Sequence, residues 1–204
     1  IMQFTELGSG FKIAMRDLEI RGAGNVLGAE QHGHMDKVGY ELYAKILKEE
    51  LTGERSESVE LDIKATAYIP ERYVESGAGR MDCYKQIADI RSLADYKRVC
   101  RSMEETYGPL PPETLNLLII AALKSYAAPF GVKKISLGRK GGSLEFSSLA
   151  ALGEKGLGAA MDKFSENVGL DMTSAPVITF RPQADSAKTM ILMTKFLKFA
   201  RSFA

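Results

Sequence analysis

The sequence predicts an α+β fold, an N-terminal helical hairpin followed by a small, mostly antiparallel sheet packed with several helices. Three observations carry this expectation. Apolar residues recur at helical spacing in several separate stretches. Two short β-like runs flank a glycine-rich tip, Gly138-Arg139-Lys140-Gly141-Gly142. Prolines and glycines then punctuate the chain between these segments, so no single element dominates.

Taken in order, Phe11, Ala14, Met15 and Leu18 fall at i, i+3, i+4 and i+7 with Lys12, Arg16 and Glu19 opposite, which predicts an amphipathic helix over 11–20. Met35, Val38, Leu42 and Ile46 predict a second, ending near Leu51. Residues 1–52 are thus read as one helical segment, and the polar, aperiodic stretch 53–58 as a linker. The second domain spans 59–204. Its first strand is expected from Val59 to Ile69, where Leu61, Ile63 and Ala65 alternate with Glu60, Asp62 and Lys64 until Pro70 stops it.

Three helices follow. The first is expected over 80–91, and the second starts at a capping box formed by Ser92 and Asp95 and carries Tyr96, Val99, Cys100, Met103 and Tyr107. Gly108-Pro109-Leu110-Pro111-Pro112 breaks the chain before a third, over 113–128, whose Leu and Ile residues lie on nearly every side and mark it as the buried central helix. Val132 to Leu137 and Ser143 to Ser147 read as a hairpin with a five-residue loop. A helix over 149–167, weakened by Gly153, Gly156 and Gly158, a strand over 176–181 and a final helix striped by Leu192, Phe196, Phe199 and Phe203 complete the series.

Composition excludes several classes. Lys plus Arg number 27 against 26 Asp plus Glu, a net charge of +1, so the chain as a whole has no field to gather nucleic acid or anionic lipid. No apolar run reaches the ~20 residues of a membrane span, and no leader pattern is present. Cys83 and Cys100 are the two cysteines, each in a helical pattern without zinc-ligand spacing, which points to reduced thiols in a cytoplasmic protein. The chain opens on Ile1 within what reads as the end of a helix, as in a piece of a longer protein.

The densest motif is Arg21-Gly22-Ala23-Gly24-Asn25-Val26-Leu27-Gly28-Ala29-Glu30-Gln31-His32-Gly33. Its glycines are spaced G-x-G-x-x-x-G and follow a helix, whereas the dinucleotide fingerprint needs G-x-G-x-x-G after a strand, and no P-loop lysine follows. From the residues alone it is a glycine-rich turn between helices. His32 and His34, near Glu30 and Asp36, are too few to make a metal site. Asp17 and Arg21 at i, i+4 are expected to form an ordinary helix pair. No metal, bound cofactor or catalytic residue is expected in the chain.

The Arg139-Lys140 tip and the side of the last helix carrying Lys188, Lys195, Lys198 and Arg201 offer an alternative function, a free-standing nucleic-acid-binding module. Against it, lysines at a helix C-terminus complement the macrodipole, and no aromatics interleave with these charges to stack bases.

The run from Phe4 to Gly28, with Glu30, Gln31 and Gly33, closely resembles the translocation motif shared by the RecG and Mfd families. Downstream, Ala67-Tyr68-Ile69-Pro70 and Tyr107-Gly108-Pro109-Leu110-Pro111 are similar to the C-terminal domain of the Mfd family, bacterial transcription-repair coupling factors, which RecG lacks. The resemblance covers essentially the whole chain. It implies a C-terminal segment of a superfamily 2 double-stranded DNA translocase that displaces stalled RNA polymerase and recruits excision repair. Arg21 and Gln31 match the motif's coupling residues, with Gly22, Gly24 and Gly28 allowing the close approach; together they would transmit closure of the motor lobes into movement. His32 departs from the small Ser usual there, which bears on local packing.

The resemblance further implies that ATP and Mg belong to upstream motor lobes, so the fragment itself is not expected to be an ATPase. It also implies that residues 59–204 pack on an N-terminal damage-recognition module and mask its surface for the UvrA repair protein, as an autoinhibitory lid in a bacterial cytoplasm. Double-stranded DNA, RNA polymerase and UvrA are the implied partners, with no membrane.

Overall fold

The structure, a computed structural model, describes residues 59–203. The helical segment 1–52, the linker and the motif residues Arg21, Gly22, Gly24, Gly28 and Gln31 lie outside the described residues.

A five-stranded sheet forms one layer. Its strands are β1 (Glu60–Ile63), β2 (Val132–Gly138), β3 (Gly141–Phe146), β4 (Val168–Asp171) and β5 (Val177–Phe180), in spatial order β1-β2-β3-β5-β4. β1 runs parallel to β2 because the long helical excursion between them returns the chain to the same end; every other pair is antiparallel. The helices are α1 (Gly77–Ala88), α2 (Leu93–Tyr107), α3 (Pro112–Ala127), α4 (Glu154–Lys163) and α5 (Ser186–Arg201). The expected α+β class with a mostly antiparallel sheet is the one observed.

Alternation sorts the sheet into two faces. Ile63, Leu137, Gly142 and Phe180 form one inward row, and Leu61, Ile135, Leu144 and Ile178 the next. α5 lies on this inner face with Met190, Met193, Phe196 and Leu197 fully buried. The Phe196 ring meets Phe180 edge-on at 5.5 Å and Phe164 at 5.9 Å. Each such aromatic or aliphatic side chain removed from water contributes about 1.5–3 kcal/mol. α3 packs along α5 and is buried on most sides, from Leu117 to Leu123, as its all-round apolar pattern predicts. α4 docks where Gly156 lies: a Cβ there would stand 2.6 Å from the Ala200 carbonyl oxygen, so a residue that weakens the isolated helix permits the contact.

Three expectations are corrected, and one strand was unexpected. The first strand stops at Ile63, not Ile69. Beyond Lys64, whose amide bonds the Leu137 carbonyl, the backbone is satisfied by side chains instead of a ladder. Asn116 Nδ2 donates to the Thr66 carbonyl, Thr114 Oγ1 to that of Tyr68, and the Ile69 amide to the Tyr84 hydroxyl. The hairpin turns on two residues, Arg139 and Lys140, with Gly138 paired to Gly141. Gly141 has φ +116°, and a Cβ on it would meet the Phe180 carbonyl oxygen, so these glycines belong to the strands.

The helix expected over 149–167 is a short 3-10 turn, Ala150–Leu152, followed by α4, which ends at Lys163. β4 had no expectation at all: Val168-Gly169-Leu170-Asp171 is an edge strand defined only by its pairing to β5. Smaller shifts place α1 at Gly77–Ala88, where Ser76 caps it, three residues ahead of the expected start. No described helix is long and apolar enough to cross a membrane, and no metal-binding cluster occurs among the described residues.

Candidate protein-docking surface

α2 begins as its sequence dictates. The Ser92 side chain accepts the Asp95 amide at 3.1 Å, and the Ser92 hydroxyl and Arg91 amide both reach the Asp95 carboxylate. The hydroxyl bond above all holds that carboxyl below the usual carboxylate range. Beyond this cap the exposed charges change sign along the helix. Lys97, Arg98 and Arg101 occupy its middle, with Arg98 paired to Asp95, and Glu104 and Glu105 the last turn, which contains no basic residue. A helix C-terminus disfavours anions by ~0.3–1 kcal/mol each, so Glu104 and Glu105 oppose the macrodipole there, whereas Asp95 in the first turn complements it at the other end. Glu104 and Glu105 form no ion pair among the described residues.

Beside them stands Tyr107, 37% exposed and held from two sides. Its ring packs edge-on to Tyr73 at 5.9 Å, and its hydroxyl lies beside Cys83. The loop carrying Tyr73 is fixed by Arg80, a buried residue at 6% exposure. Arg80 Nη1 donates to the carbonyls of Val74 (2.9 Å) and Glu75 (3.1 Å), and Nη2 to Glu71 Oε1 (3.2 Å). One planar cation therefore pins three points of the segment 71–75 while Glu71, Glu75 and Asp82 remain exposed. Burial, first, and then the Cys83 and Asp82 charges push the Tyr107 phenol up; burial does the same to the Cys83 thiol. Both stay protonated near neutral pH, so the cluster positions groups and offers no nucleophile.

The arrangement is a rigid acidic face with an aromatic anchor, features that suit a basic protein surface. Sequence reasoning named none of its docking residues. The one available signal was the pair of acids, Glu104 and Glu105, closing the α2 pattern just before Gly108 and Pro109. Of the alternative basic residues, Arg139 and Lys140 are exposed at the hairpin tip; Lys188, Lys195, Lys198 and Arg201 are exposed along α5. Cys83 and Cys100 are free thiols in α1 and α2, within helices as expected.

Residues 63–156 match a family model described as the TRCF domain. Similar proteins include the transcription-repair-coupling factor of Bacillus subtilis, 36% identical over 97% of this chain and 18% of that protein. That of Borreliella burgdorferi is 34% identical over 74% of this chain and 14% of the relative. That of Staphylococcus epidermidis is 40% identical over 66% and 12%. The chain thus spans less than a fifth of the length of these relatives. Among solved structures, a crystal structure of the C-terminal domain of a transcription-repair coupling factor superposes with a TM-score of 0.61 at 18% identity. It covers 72% of this chain and 96% of the other.

Proposed function

This chain belongs to the transcription-repair-coupling factor family, and we propose that it is the C-terminal coupling and autoinhibitory region of an ATP-dependent double-stranded DNA translocase. In this reading the whole protein displaces stalled RNA polymerase at lesions and recruits excision repair. Arg21 and Gln31, with Gly22, Gly24 and Gly28, couple ATP-driven lobe closure to translocation. Residues 59–204 cover the UvrA-binding surface of the N-terminal damage-recognition module.

One observation supports the masking role most directly: Glu104 and Glu105 close α2 against its own dipole beside a clamped, exposed Tyr107. Local stability gains nothing from that charge order, whereas a cationic partner surface would be attracted by both carboxylates and the helix C-terminus. The test uses the full-length protein. Glu104→Arg with Glu105→Arg, and separately removal of residues 59–204, should each raise UvrA affinity by about tenfold or more, equivalent to ~1.4 kcal/mol of lost masking. If removal leaves UvrA binding unchanged, the lid is wrong. If removal unmasks but charge reversal does not, the lid uses another face. Arg21→Ala in the same protein should retain DNA-stimulated ATPase and lose triplex displacement; retained displacement would sink the coupling role.

A further inference from the structure

Register brings together cations that are far apart in sequence. β1 and β2 end side by side, with the Lys64 amide on the Leu137 carbonyl. The Arg139-Lys140 turn caps β2 and β3 at the same end. β5 finishes there too, with Phe180 opposite Gly142 and the Arg181 amide on the Asn167 carbonyl. Three separate segments therefore deliver Lys64, Arg139, Lys140 and Arg181 to one end of the sheet, all exposed. Lys188 follows in the first turn of α5, its ammonium 3.5 Å from the capping Asp185. The first four form no ion pair among the described residues, although the chain contains almost as many carboxylates as cations.

We infer that this hairpin end of the sheet is a contact site for the phosphate backbone of double-stranded nucleic acid. Two guanidiniums and two ammoniums match phosphate oxygens, which a guanidinium can bind bidentately. A rigid two-residue turn, with Gly141 close against the Phe180 carbonyl, holds two of the four in place. No exposed aromatic side chain lies at this end, so stacking on single-stranded bases is not on offer; sequence-independent backbone contact to a duplex is. The site is separate from the acidic face of α2, and either assignment can fail without the other.

The 204-residue chain is titrated into a fluorescent mixed-sequence duplex of about 30 base pairs, by anisotropy, between about 50 and 200 mM salt. Affinity should fall roughly threefold per phosphate contact across that range. Arg139→Glu, Lys140→Glu and Arg181→Glu combined should weaken binding at least ~10-fold and flatten the salt slope by about three. Lys97→Glu, Arg98→Glu and Arg101→Glu on α2 change net charge equally and should weaken binding far less. All six side chains are exposed or partnered only at the surface, so circular dichroism should show both variants folded; Gln in place of Glu repeats the test if one is not. Absent salt-dependent binding, equal losses from the two triple variants, or equally tight binding of polyglutamate would each overturn the site.

Discussion

The Tyr73 hydroxyl donates to the carbonyl oxygen of Gly108 at 3.0 Å, with the Met103 carbonyl a second acceptor at 3.2 Å, so a loop residue closes the last turn of a helix 35 positions away. Helix C-termini leave carbonyls without intrahelical donors, and here a phenol supplies what the backbone cannot. Tyr73→Phe should cost about 1–2 kcal/mol in urea unfolding and speed amide exchange in 104–108 ahead of the rest of α2. Equal exchange throughout α2 would show that the bond does not hold the turn.

Arg80 and Glu71 should be unequal partners. Arg80→Met strips donors from two carbonyls around a buried cation and should destabilise by about 2–4 kcal/mol. Glu71→Gln, whose side chain is 77% exposed, should change stability by less than about 1 kcal/mol. Comparable losses in the two variants would mean that the ion pair, and not the carbonyl clamp, fixes the loop.

Gly141 and Gly153 both have positive φ, but only Gly141 also lacks room, since its Cβ would overlap the Phe180 carbonyl. Gly153→Ala should cost roughly 1–2 kcal/mol for its backbone conformation. Gly141→Ala should cost more, on the order of 3 kcal/mol or above, because the β3–β5 ladder must shift. Matching melting temperatures for the two variants would contradict the close approach.

The α1–α2 cluster should make the domain sensitive to alkali. Burial, the leading cause in each case, raises the pKa of Cys83, Cys100, Tyr73, Tyr96 and Tyr107. Unfolded thiols ionise near about 8.5 and phenols near about 10, so on raising the pH the unfolded chain loses its protons first. Stability from these groups is therefore complete below about pH 8.5 and lost as pH rises through the higher folded values. Urea midpoints should fall steadily between about pH 8.5 and 10.5; a flat profile would refute the burial effect.

Legibility followed the periodicity of each segment. α3 was plain because its apolar residues reach every side, and the Ser92–Asp95 cap was plain because capping chemistry is local. β4 was invisible: Val168-Gly169-Leu170-Asp171 has neither alternation nor β-branched bulk beyond Val168, and only β5 makes it a strand. The stretch 64–69 alternates well enough to pass for strand, yet Thr114, Asn116 and Tyr84 draw its backbone off the ladder.

The sequence by itself determined the α+β class, the buried central helix, the hairpin and the resemblance to a translocase family, since each rests on local spacing or on a contiguous motif. Only the tertiary structure decided that Tyr107 and Glu104 lie beside the loop pinned by Arg80, and that Lys64 and Arg181 join the hairpin tip. Those groupings depend on strand register and on hydrogen bonds between residues many positions apart, and neither leaves a trace in the spacing of a single chain.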